Sequence, residues 1–126
     1  MPETITVHDD LEIIEVHSFG QVTKQDLLQS LQAVDQIYQT RGYNKVLIDA
    51  QEEEGIPNAI DLFMFGDSMG KAYVSKTGRF AVVTSEATRK DLEFLAKTSQ
   101  DRGMKVNVFM SVDEAIDWLN GKTTAE

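Results

Sequence analysis

The sequence predicts an α/β domain built on a mixed, mostly parallel five-stranded sheet with four helices. In its last third, two strand-like runs, Arg79-Phe80-Ala81-Val82-Val83-Thr84 and Val106-Asn107-Val108-Phe109-Met110, flank an amphipathic helical pattern. Strand, helix and strand in that order specify a parallel crossover, and continuous apolar strands suit a sheet covered on both faces. A third apolar run, Val46-Leu47-Ile48, precedes another helical stretch and extends the same pattern. The 126 residues fit one domain, with a core over about residues 4–120 and a polar tail at 121–126.

The first strands are expected at Thr4–His8, which alternates, and at Glu12–His17, which is β-branched and apolar; Asp9-Asp10 between them reads as a hairpin turn. Thr23 offers an N-cap, after which Leu27, Leu31, Val34 and Tyr38 recur at helical spacing until Gly42, with Arg41 suited to the helix C-terminus. Val46-Leu47-Ile48 ends in Asp49, and Gln51 to Gly55 reads as an acidic loop. Pro57 can begin a helix that runs to about Tyr73. Its apolar residues spread around most of its circumference, where a surface helix would show one stripe. Ser85 is the expected N-cap of the next helix, with Ala87, Leu92, Leu95 and Ala96 facing inward and Gly103 after its end. Ser111 with Glu114 forms a capping box for a last helix containing Trp118-Leu119.

Composition narrows the function. There are no cysteines, which excludes disulfides, thiolate metal sites and cysteine nucleophiles. A net charge of −9 with no basic patch disfavours nucleic acid and anionic membranes as partners. No apolar stretch approaches the roughly 20 residues of a membrane span. The start, Met1-Pro2-Glu3-Thr4, lacks the features of a signal peptide, so the expected localisation is cytoplasmic.

The order of elements resembles the STAS-type fold of anti-sigma-factor antagonists, and more closely its small bacterial SpoIIAA-like relatives, which share features with the lipid-binding CRAL-TRIO domain. The residues that carry the resemblance are Val46-Leu47-Ile48-Asp49, Arg79-Phe80-Ala81-Val82-Val83 and the closing stretch from Val108 to Leu119. It covers roughly residues 11–120 and implies a regulatory or ligand-binding module. It also implies a serine phosphorylated in an Asp-Ser-Ser-Gly-like motif at a helix N-terminus. Asp67-Ser68-Met69-Gly70 has part of that motif, but methionine replaces the second serine and the position falls late in its helix.

Gly66-Asp67-Ser68-Met69-Gly70 also matches the G-x-S-x-G pattern of serine hydrolases, which needs a strand-to-helix turn and a histidine in reach. Here a helical stretch precedes it, and His8 and His17 lie upstream in strands. A glycine-rich kink or helix end is the preferred reading. Asp49, Thr84, Ser85 and Ser111 end parallel strands, where ligands of open α/β sheets gather, although loop ties and helix caps account for them equally. Asp49 with Glu52-Glu53-Glu54 lacks the spacing of a calcium loop, and the two histidines could face one another across the hairpin without making a specific metal site. No metal and no cofactor is expected.

The long apolar helix remains. Phe63, Phe65, Met69 and Tyr73 provide aromatic and thioether surface suited to an apolar ligand or a protein interface, with Asp49 and Ser68 as polar companions. Packing into the core by two faces would explain the same residues. The expected function is a non-enzymatic module that binds an apolar small molecule or a protein partner, a second copy of the chain included, through residues 57–73. The alternatives are a regulator switched by phosphorylation of Ser68 and, third, a small serine esterase.

Overall fold

The computed structural model describes residues 3–121; Met1, Pro2 and residues 122–126 of the expected polar tail lie outside the described residues. Strands β1 (Glu3–His8), β2 (Ile13–Gln21), β3 (Lys45–Gly55), β4 (Arg79–Val83) and β5 (Lys105–Phe109) form one sheet in the order β1-β2-β3-β4-β5. The first pair is antiparallel and the other three are parallel. Helices α1 (Lys24–Arg41), α2 (Ala59–Lys71) and α3 (Arg89–Gln100) are the crossovers, and α4 (Val112–Leu119) follows the last strand.

Because neighbouring strands are also consecutive, crossovers of one hand place their helices on one face of the sheet. That face packs Ile14, Val16, Val46, Phe80, Val82 and Val106 against α1, α2 and α3. The opposite face presents Ile13, Leu47, Ala81 and Val83, and among the described residues only α4 covers it, through Ala115 and Leu119. Alternation along each strand supplies both cores from the same short runs.

Thr23 caps α1 as expected. Its hydroxyl accepts from Asp26 N–H, while the Asp26 carboxylate accepts from Thr23 N–H at 2.9 Å. Gly42 at φ 78° ends the helix and donates to the Tyr38 carbonyl at 2.7 Å. Ser111 accepts from Glu114 N–H to start α4.

Three expectations change. Residues 51–54 are strand, not loop, since β2 runs on to Gln21 and its backbone groups need a partner as far as Gly55. The extra β3 residues appear as register shifts opposite Ser18 and at Gly20/Gln21. Helix α2 is shorter than residues 57–73: Asn58 caps it by accepting from Asp61 N–H at 2.9 Å, and Tyr73–Lys76 is a separate 3-10 turn. Ser85 does not cap α3. The helix starts four residues later, Ala87 lies exposed in the connecting turn, and Thr88 bonds Thr84 hydroxyl to hydroxyl at 2.9 Å.

Candidate functional site

Helix α2 carries two apolar stripes, which is why its sequence looks apolar all round. Leu62, Phe65, Gly66 and Met69 face inward and are buried. Ile60, Phe63 and Met64, at spacings of three and four, form a second stripe and remain 72%, 50% and 49% exposed. Gly66 sets how closely α2 lies on α3, while Gly70 leaves ordinary contact room for Arg102 just past that helix. A Cβ on Gly66 would come within 3.1 Å of Thr98 Oγ1, and one on Gly70 within 3.5 Å of the Arg102 side chain. The G-x-S-x-G pattern thus lies at the C-terminal end of α2, which stops at Lys71, and Gly66 there serves helix packing.

Phe63 is held from one side. The Arg102 guanidinium lies 4.6 Å from its ring centroid and donates to the Thr98 carbonyl at 2.8 Å. Asp67, one turn further along α2, meets Lys71 at 3.3 Å and Arg102 at 3.4 Å. Lys71 first, then Arg102, holds the Asp67 carboxyl below the usual carboxylate range. Beside this stripe a surface groove of about 380 Å³ opens between α1 and α2. Leu28 and Lys24 form its α1 side, and Met64, Phe65 and Ser68 its α2 side.

Beneath α2 the packing is tight. Between the sheet and α1, a cavity of about 40 Å³ is walled by Leu31, Val34, Phe65, Met69 and Phe80, with Glu3 and Ser30 at its polar end. That is room for about one water molecule.

The other expected site residues are scattered. Tyr73 is 59% exposed but sits past the far end of α2, where Lys76 lies 5.6 Å from its ring. Asp49 points to the α4 face of the sheet, since it pairs with His17 and Val83, and its carboxylate accepts from Gln51 N–H at 3.2 Å. Thr84 is buried and bonded locally, so the expected polar rim at the strand ends does not assemble. His8 bonds Glu15 at 2.6 Å and His17 bonds Glu52 at 2.8 Å. Pairing His8 with Ile13 and His17 with Thr4 keeps the two histidines apart on the face away from α2. They do not face one another, and neither has Ser68 in reach. No group of three or more His, Asp or Glu side chains among the described residues could hold a metal ion. No helix among them is long and apolar enough to cross a membrane.

A family model described as SpoIIAA-like matches residues 13–120, from the start of β2 to just past α4. The chain belongs to the SpoIIAA-like family. Three solved structures share the fold of this SpoIIAA-like chain. An uncharacterised protein of the DUF3478 family with a SpoIIAA-like fold, from Shewanella loihica PV-4, is 20% identical with a TM-score of 0.59, over 93% of this chain and 91% of that one. A putative anti-sigma factor antagonist from Thermotoga maritima is 19% identical with a TM-score of 0.64, over 94% of each chain. An anti-sigma factor antagonist from Mycobacterium paratuberculosis is 19% identical with a TM-score of 0.57, over 94% and 92%. No curated protein sequence matches the chain.

Two features of this SpoIIAA-like domain escape the sequence reading. Ile60 and Met64, the residues that flank Phe63 on the outer stripe, are as exposed as Phe63 or more so. The spacing 60, 63, 64 is a signal that could have found them. Glu53, by contrast, is buried because the extra residue in β3 turns it inward. The middle of three consecutive glutamates gives no sign of that.

Proposed function

We propose that this SpoIIAA-like chain is a non-enzymatic module that docks a protein partner on the outer stripe of α2. The observation that carries this reading is the row Ile60, Phe63 and Met64, three large apolar side chains left in water on one helix face beside an open groove. Each would remove apolar surface worth roughly 1–2 kcal/mol on burial. Arg102 already orders Phe63, so docking costs little side-chain entropy there.

A stored apolar molecule is less well supported, since the space beneath α2 is about 40 Å³. Phe65 and Met69 line that space and are buried, with Phe65 reaching the outer groove only by an edge. The Thermotoga and Mycobacterium proteins are described as acting against an anti-sigma factor, which favours a protein as partner here. A net charge of −9 opposes self-association and favours a basic partner surface. Ser68 carries no phospho-switch in this reading. It lies half-buried in the third turn of α2 beside an ionised Asp67, and the N-cap position holds Asn58.

Photo-crosslinking from position 64 in the host cell, followed by titration with the purified partner, tests the proposal. A protein adduct is expected, with at least about tenfold weaker binding in the Ile60→Ser, Met64→Ser double variant, near the loss of two buried apolar contacts. Adducts only with a second copy of this chain or with a small molecule, or unchanged affinity in the variant, would overturn it.

A further inference from the structure

The ends of β2 and β3 keep two carboxyl groups out of water. Glu3, the first residue of β1, is 7% exposed, and Glu53, near the end of β3, is 6% exposed. Ser18 of β2 lies fully buried beside them. Its hydroxyl donates to Glu3 Oε2, and the Ser30 hydroxyl of α1 donates to Glu3 Oε1. Both oxygens of Glu3 are thus supplied. Glu53 is not: its Oε1 is buried with no hydrogen-bond partner among the described residues.

An ionised carboxylate in that position leaves Oε1 without water or a donor, and the nearby Ser18 hydroxyl offsets this only in part. The charged side chains of the surrounding elements bring no relief. Glu3 on β1 has the same sign. Asp26 at the start of α1 is engaged in the helix cap, and Lys24 beside it reaches towards Asp61 of α2 at 4.0 Å. On β3 itself, Glu52 turns to His17 and Glu54 is exposed. Burial first, and then the charge of Glu3, push the Glu53 carboxyl up to about 7.

The backbone at this place is irregular. Both register shifts between β2 and β3 flank Glu53. The last tie is the Gly55 carbonyl, which accepts from Val22 N–H at 2.9 Å, and Ile56 and Pro57 alone separate Gly55 from the cap of α2.

We propose that Glu53 is the proton-operated catch of a latch that holds the end of β3 against β2. Protonated, the side chain stays inside. When its proton passes to bulk water, the carboxylate turns out into solvent, and residues 51–58 loosen from β2 together with the entry to α2. The latch stands apart from the docking proposal, because its readout lies in this chain alone.

The sign follows from the two protonation equilibria. Native Glu53 binds its proton more tightly than an exposed glutamate, so opening grows as pH rises from about 4.5 to about 7 and levels off above that. Between pH of about 5.5 and about 7.5 the opening equilibrium should rise roughly twentyfold.

Amide hydrogen exchange of residues 51–58, corrected for intrinsic exchange at each pH, reads this directly. The expected result is a roughly twentyfold loss of protection over that range in the wild type and none in Glu53→Gln, with residues 51–58 opening at a lower free energy than the amides of β4, which follow global unfolding. A pH dependence that survives in Glu53→Gln, or a flat wild-type profile, overturns the proposal. Should that variant not fold, the infrared carboxyl band of the wild type provides the same test: a protonated buried carboxyl must be present below neutral pH and vanish as the strand end loosens. Its absence at acid pH overturns the latch.

Discussion

Gly78 sits between the 3-10 turn after α2 and the first residue of β4, where the chain passes beneath two backbone carbonyls. A Cβ there would meet the Val74 oxygen at 2.6 Å and the Asn44 oxygen at 2.9 Å. Gly78 also donates to Val74 O at 2.8 Å, so the backbone cannot retreat without losing that bond. Gly78→Ala is expected to cost about 1–3 kcal/mol of stability, to be read from urea denaturation. Gly66 is a gentler case, since its close neighbour is the Thr98 hydroxyl, which can shift. Both glycines are visible in the sequence, but only the structure says which backbone they make room for.

At the scale of the element, α2 has two faces with opposite consequences on substitution. The Phe65→Ser, Met69→Ser pair removes two buried side chains from the larger core and introduces hydroxyls there. It is expected to unfold the domain or lower stability by at least about 4 kcal/mol. The sequence alone makes these two residues look like a binding surface whose loss would leave the fold intact; their burial overturns that expectation. The Ile60→Ser, Met64→Ser pair changes only exposed surface and should leave the thermal midpoint within a few degrees of wild type. Circular-dichroism melts of the two pairs, side by side, check the assignment of the stripes. The apolar content of α2 was legible as unusual. Which half of it meets water was not, because that depends on where α1 and α3 sit.

For the whole molecule, the buried carboxyls give stability a pH dependence of definite sign. Glu53 is raised from 4.5 to about 7, chiefly by burial, and Glu3 is also raised by burial, against the donation from Ser18 and Ser30. A raised carboxyl favours the native state while it holds its proton, so stability should fall as pH climbs from about 4.5 to about 7. For Glu53 the loss amounts to at most about 3 kcal/mol. Urea unfolding across this range measures it, and a wild type whose stability rises towards neutral pH would contradict the burial of these groups. The accumulating net negative charge acts in the same direction, so the difference between wild type and Glu53→Gln isolates the single carboxyl.

Strand positions, the parallel order of β2 to β5, the caps at Thr23 and Ser111 and the stop at Gly42 follow from the sequence by itself. They rest on local rules: alternation, helical spacing, and the few residue types that satisfy a helix end. The resemblance to the SpoIIAA-like family came from the same local features in order. The tertiary structure alone decided three things. One extra residue in β3 ahead of Glu53 turns it from the expected acidic loop into the interior, since an insertion in a strand reverses which side chains face in. Helices α1 and α3 cover one stripe of α2 and leave Ile60, Phe63 and Met64 in water. Asp49, Tyr73 and the histidines are drawn away from that stripe, because the sheet and the helix axis separate residues that a list of polar and aromatic candidates places together.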